Sequence, residues 1–203
     1  ILPVGVLSCG WKPFLGQTFY RQIKYFNMQR ENYMLIIWDF DGVICDSDDI
    51  WAENWRKLLK SEKDIEISEQ EKRELLIGIS EKDKAKRLES HFSGLKIDDA
   101  FKKKLNELHD FGMKNLLVLT NGVDKIFADS RFKQCIATGG NQYQNDTKNH
   151  TVGIDKYFSK NNCFTADMVE KGKPNPDIFL LAAEKMQVSA SDCIIIEDSL
   201  EGI

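Results

Sequence analysis

The feature that most constrains this chain is Leu35-Ile36-Ile37-Trp38-Asp39-Phe40-Asp41-Gly42, an apolar run that stops at two aspartates separated by one residue. A short unbroken apolar run reads as a strand buried on both faces. Asp and Gly end strands, so this one delivers carboxylates to the edge of a sheet. Side chains alternate along extended backbone, which points Asp39 and Asp41 the same way. Two like charges crowded into an apolar place need a counter-ion, and a hard cation with oxygen ligands such as Mg²⁺ supplies one. Two further runs, Cys135-Ile136-Ala137 and Ile194-Ile195-Ile196, also end at polar residues, Thr138 and the pair Glu197-Asp198. A parallel sheet accounts for all three, because parallel strands leave their carboxyl ends along one edge, where open α/β proteins hold ligands.

With 203 residues the chain suits one domain, or one core with a modest inserted lobe. A net charge of -4 and a pI near 5.5 leave no basic patch, which argues against nucleic acid as a partner. Charged residues at 30% and hydrophobic ones at 42% exclude a disordered chain. The five cysteines (Cys9, Cys45, Cys135, Cys163, Cys193) are odd in number and form no C-x-x-C, so they indicate neither a disulfide framework nor a zinc site. A reducing cytoplasm and a monomer away from any membrane are expected. In residues 1–27 the apolar stretch from Ile1 to Leu7 is too short for a secretory signal and has no basic lead. That region reads as an appended N-terminal arm of unknown role.

From Asp48 to about Lys114 the pattern is charged and helical. Trp51, Trp55, Leu58 and Leu59 recur at helical spacing, as do Ile97, Phe101, Leu105 and Leu108. Ser68-Glu69-Gln70-Glu71 is a capping box, and Ser80 with Asp83 resembles a second helix start.

Two segments compete to follow this helical lobe as the next strand, Leu116–Thr120 and Cys135–Thr138. Spacing selects the second. From Thr138 to Lys173 is 35 residues, near the ~30 or more of one β-α-β step, whereas from Thr120 it is 53 and would leave Cys135–Ala137 without a role. Residues 141–151 then form one helix. Further on, Lys173-Pro174-Asn175-Pro176 places a lysine on a stiff loop, with Asn175 set to cap a helix that starts at Pro176 and buries Ile178, Leu181, Ala182 and Met186.

In this order Asp39-Phe40-Asp41-Gly42-Val43-Ile44 with Asp46-Ser47, then Thr138-Gly139, Lys173-Pro174 and Glu197-Asp198 resemble the four motifs of the haloacid dehalogenase-like (HAD) hydrolases. The β-phosphoglucomutase and phosphoglycolate phosphatase branch is nearest in flavour. The resemblance implies an α/β, Rossmann-like parallel-sheet core over 28–47 and 115–203, with a small α-helical cap over 48–114 inserted after the first strand. In the family that cap is mobile and closes over the active site. Family members begin about where Met28 or Met34 stands and continue past the position of Ile203, so the C-terminal part of the core is expected to be missing.

By the same resemblance Asp39 is the nucleophile that forms an aspartyl-phosphate, and Asp41 is the general acid that later acts as base. Mg²⁺ is held by Asp39, the Asp41 backbone carbonyl and Asp198, with help from Glu197. Lys173 cancels charge, and Thr138 and the Gly139 amide bind the transferring oxygens, with the missing side chain letting the backbone come close. The substrate is a small phosphorylated metabolite such as a sugar phosphate, with specificity set around Trp51, Ser80 and Glu81. A phosphomutase is the rival. Its histidine in the helix entering the cap corresponds to Trp51, and its phosphate-gripping cap arginine corresponds to Glu81, whose charge repels phosphate. Two non-enzymatic alternatives are a phospho-receiver module and an inactive, truncated fold that only binds. Asp41 and the helical lobe favour turnover over the receiver.

Overall fold

A computed structural model of the chain describes residues 5–8, 35–77, 79, 81–129 and 131–199. The strands are β1 (Gly5–Ser8), β2 (Leu35–Trp38), β3 (Lys133–Thr138), β4 (Cys163–Thr165) and β5 (Cys193–Glu197). The first four helices are α1 (Asp48–Lys63), α2 (Glu69–Leu75), α3 (Glu81–His91) and α4 (Asp99–Asn115). They are followed by α5 (Val123–Phe127), α6 (Gln142–Thr151) and α7 (Asp177–Lys185). Contacts divide the chain into two compact units, one holding the described residues up to Asp46 together with those from Val118 onward, the other Ser47–Leu117.

The first unit is built on a parallel sheet of order β1-β5-β2-β3-β4. Ile37 lies beside Cys135 on one side and Ile195 on the other, and Thr138 lies beside Thr165. Leu35 to Trp38 are all at most 1% exposed, the signature of a central parallel strand covered on both faces. Burying side chains of this size stabilises a fold by about 1.5–3 kcal/mol each. Helix α7 lays Ile178, Phe179, Ala182 and Ala183 against one face, on Leu35, Ile37, Cys135, Ala137, Cys193 and Ile195. Leu181 and Met186, expected in its buried stripe, are only partly covered. Asn175 does not cap α7. The helix begins one residue later than expected, behind Pro176, and the Asn175 side chain turns back to donate to Gly172 O at 3.1 Å.

Within the stretch read as an appended arm, Gly5–Ser8 is a strand of this sheet, with Val6 beside Ile195. β5 therefore has a neighbour on each side. The rest of residues 1–27, Cys9 included, lies outside the described residues. The competing segment Leu116–Thr120 makes no strand. Leu119 forms a single antiparallel bridge to Cys45, and Thr120 N donates to Ile44 O at 2.8 Å, after which Asn121-Gly122 turns into α5.

The second unit is helical, with a core of Trp55, Leu58, Leu59, Leu76, Leu88, Phe101 and Leu105 among others. Helix starts follow local chemistry. Ser68 and Glu71 form a reciprocal capping box on α2, and Asp98 accepts the Phe101 amide at 2.8 Å at the head of α4. No helix among the described residues is long and apolar enough to cross a membrane.

Candidate active site

The ladder of β2 ends at Trp38, so the two aspartates lie in the turn beyond it and strand alternation does not govern them. Asp39 N still donates to Ile196 O at 2.9 Å, which ties the turn to β5. The chain then doubles back, with Ile44 N on Phe40 O at 2.9 Å and Gly42 N on Cys45 O at 2.8 Å. Gly42 has φ +79°, and a Cβ added there would stand 1.9 Å from Asp198 Oδ2. Glycine is required twice over, for a left-handed backbone and for the room that Asp198 occupies.

Asp39 is 7% exposed and Glu197 1%. The Lys173 ammonium lies between them, 2.7 Å from Asp39 Oδ1 and 2.6 Å from Glu197 Oε2. Burial pushes the Asp39 carboxyl well above the ordinary carboxylate range, against the pull of Lys173 and with the charges of Glu197 and Asp41 adding to it. For Lys173 burial acts downward, and the two facing acids outweigh it, so its ammonium is held above its ordinary value. Glu197 also accepts from Ser199 Oγ at 2.7 Å. One oxygen each from Asp39, Glu197 and Asp198 lies within 4.8 Å of the others. Carboxylate oxygens without nitrogen or sulfur fit a hard cation such as Mg²⁺.

Asp41 has a lysine of its own. Lys148 Nζ, from the middle of α6, donates to Oδ1 at 2.7 Å and to Oδ2 at 2.5 Å. The sequence reading missed this residue.

Thr138 closes β3 at the same sheet edge, 2% exposed, with its Oγ1 accepting from Gly140 N at 3.2 Å. Gly139 follows it and is exposed. A Cβ there would meet nothing within 4 Å, so no contact inside the protein calls for glycine at that position.

Of the residues expected to set specificity, Ser80 lies outside the described residues, while Trp51 and Glu81 belong to the helical unit. Trp51 is half-buried and meets the His109 ring edge-on at 5.0 Å between centroids. Glu81 is not the bare anion expected. Oε2 accepts from Trp55 Nε1 at 2.8 Å and lies 3.3 Å from His109 Nε2, and Oε1 accepts from Lys84 Nζ at 2.5 Å. Asn54 Nδ2 donates to His109 Nδ1 at 3.0 Å, which leaves the proton on Nε2 to face Glu81. Burial works to raise the Glu81 carboxyl, but the His109 hydrogen bond and the Lys84 ammonium outweigh it and hold the group at about 2, against an ordinary 4.5. A depressed acid contributes stability above its unfolded value and loses it as pH falls through the folded one. Thermal unfolding should therefore show a loss of stability as pH falls from 4.5 to about 2, and Glu81→Gln should flatten that slope. An unchanged slope would mean that this cluster does not contribute.

The comparisons with known proteins concern the family and the fold. The model of the haloacid dehalogenase-like hydrolases matches residues 33–203. The chain belongs to that family. Its enzyme class is accordingly that of a phosphoric monoester hydrolase. A phosphorylated carbohydrates phosphatase of Thermotoga maritima is 27% identical over 174 residues, covering 83% of this chain and 77% of the relative. A solved structure of a conserved HAD-like protein of unknown function from Agrobacterium tumefaciens superposes with a TM-score of 0.74 at 28% identity, over 84% of this chain and 77% of that one. A β-phosphoglucomutase of Bacillus subtilis is 61% identical over a 33-residue segment, 16% of this chain and 15% of the relative. Within the HAD core Asp39, Glu197, Asp198 and Lys173 form one cluster with Asp41 beside it, and Thr138 lies on the neighbouring strand.

Proposed function

We propose that this HAD-like hydrolase is a phosphatase that releases inorganic phosphate from a small phosphorylated carbohydrate or similar metabolite through an aspartyl-phosphate. The observation that carries the reading is the Lys173 ammonium between Asp39 and Glu197, with Asp198 beside them. Support for the substrate class comes from the name of the Thermotoga relative.

In the first step an oxygen of Asp39 attacks phosphorus, the bond to the leaving oxygen breaks, and Asp41 gives its proton to that oxygen. In the second, water attacks the same phosphorus, Asp41 takes a proton from the water, and Asp39 is freed with phosphate as product. Splitting the reaction this way lowers each barrier. Lys173 opposes the repulsion between Asp39 and a phosphate dianion, while the Thr138 hydroxyl and the Gly139 amide donate to the non-bridging oxygens. Mg²⁺ on Asp39 and Asp198, with Glu197 and the Asp41 carbonyl as further oxygens, would supply positive charge against the transferring group. A cytoplasmic location and a monomer complete the reading, and the four described cysteines, all buried free thiols, fit the first of these.

The segment shared with the Bacillus mutase keeps transfer between two positions of one sugar as the second reading. The pairing of Glu81 with Lys84 and His109 weakens the charge argument against it. Phosphate release from p-nitrophenyl phosphate and a panel of sugar phosphates decides the matter. Release should require Mg²⁺ and fall by about 10²-fold or more in EDTA. Sugar phosphate isomerisation faster than release would put the mutase in its place, and no turnover of any substrate would leave a binding module.

A further inference from the structure

Lys148 lies outside the four motifs, yet it is buried and engages a carboxylate central to the site. Its side chain is 5% exposed, it donates to both oxygens of Asp41, and its ammonium stands 5.2 Å from the centre of the buried Phe40 ring. We propose that Lys148 is a positioning residue for the reaction, holding the Asp41 carboxyl group in the place from which it exchanges protons with the leaving group and with water. The inference rests on the reading of Asp41 as acid and base.

Geometry carries it. Helix α6 starts at the carboxyl edge of the sheet, four residues beyond Thr138, and its first turn is fixed by a capping box between Asn141 and Gln144. Helical side chains lean toward the helix N-terminus, so a lysine two turns inside α6 is aimed back at that edge. The helix is also pinned lower down, where Asn149 Nδ2 donates to Cys163 Sγ at 3.5 Å. Asp41, in contrast, sits in a turn and has two rotatable side-chain bonds. One ammonium across both carboxylate oxygens fixes those bonds, and misplacing a reacting group by about 1 Å can cost on the order of 10²-fold in rate.

Stability alone does not call for an ion pair here. Burying an ammonium is costly even when it is paired, and well-packed apolar replacements for a buried ion pair are often neutral or better. The inner face of α6 is polar throughout, made of Asn145, Lys148 and Asn149. Lys148 also meets the charge that Asp41 acquires when its proton passes to the leaving oxygen. Two lysines thus divide two aspartates, with Lys173 on Asp39 and Lys148 on Asp41.

The test compares kcat/KM, which covers the steps through expulsion of the leaving group, on two substrates with Mg²⁺ present. Glycerol phosphate needs a proton on its leaving oxygen, and p-nitrophenyl phosphate hardly does. Lys148→Met should lower kcat/KM for glycerol phosphate by about 10²-fold and for p-nitrophenyl phosphate by less than about fivefold. Lys148→Arg, which can still reach both oxygens, should recover most of the loss, and a thermal melt of each variant checks folding. Asp41→Asn, run alongside, should show the same selectivity more strongly. Equal losses on both substrates in Lys148→Met, with Asp41→Asn still selective, would overturn the positioning role and leave the reading of Asp41 standing. If Asp41→Asn itself shows no selectivity, its acid role fails, and the role proposed for Lys148 falls with it. Should Lys148→Met not fold, Lys148→Gln, which keeps a polar head without the charge, takes its place: a loss confined to glycerol phosphate supports the proposal, and equal losses on both substrates, or none, end it.

Discussion

Asp39→Asn should abolish phosphate release while leaving the fold intact, with kcat for p-nitrophenyl phosphate down by at least about 10³-fold, or ~4 kcal/mol of barrier. An amide occupies nearly the space of the carboxylate it replaces, so packing against Ile196 and the turn to Gly42 survive. It is too poor a nucleophile to attack phosphorus. The expectation for stability runs the other way. Burial works against the ionised Asp39 carboxylate, and its proton-binding tendency is raised in the folded protein. Such a group favours folding at low pH and loses that contribution as pH rises toward its folded value. A neutral amide does not carry that penalty. Asp39→Asn should therefore melt no lower than the parent at pH 8 without metal. Retained turnover would remove Asp39 from the role of nucleophile, whereas a lowered melting point would mean that the Lys173 contact outweighs burial.

Lys173→Met should damage both stability and rate. The ammonium is the shared partner of two carboxylates whose side chains are 10% and 1% exposed. Removing one partner of a buried pair costs about 3–5 kcal/mol, on the order of 10 °C in melting temperature for a chain of this length. Methionine fills the space of the stem, so the loss is charge and not cavity. Two signatures separate this from general damage. Mg²⁺ should restore part of the melting temperature, because Asp39, Glu197 and Asp198 then have a cation to share. Adding Asp39→Asn to Lys173→Met should also recover stability, since one unpaired charge is gone and neighbouring effects are not additive. Turnover should fall by about 10³-fold. A variant that melts like the parent would show that Asp39 and Glu197 do not depend on this lysine.

Much of the fold was legible because strands in a parallel sheet need unbroken apolar runs, and Leu35–Trp38, Cys135–Ala137 and Ile194–Ile196 are such runs followed by polar residues. Chain spacing then separated Thr138 from Thr120. β1 escaped because Gly5–Ser8 carries no more than a short apolar stretch, and what makes it a strand is the free side of β5, a tertiary fact. Lys148 escaped for a different reason. Burial of a lysine has no local signal. The one available hint was that Gln142–Thr151, a helix that must cover a sheet, has no apolar stripe, and its largest apolar ring, Tyr143, faces solvent at 55% exposure. A polar inner face on such a helix is itself a pointer to chemistry. The pairing of Glu81 with His109 was hidden by sequence distance, whereas Lys84, three residues along the same helix, could have been anticipated. The cap for α7 was misplaced by one residue because Pro176 occupies the N-cap position itself.

The fit of Gly42 beneath Asp198 makes the two ends of the motif series a mechanical interlock: the turn after β2 is the seat on which the last acid rests. A single methyl group at that seat would unseat a prospective cation ligand without altering any formal charge. Shape and electrostatics, which every aspartate replacement changes together, can be told apart there.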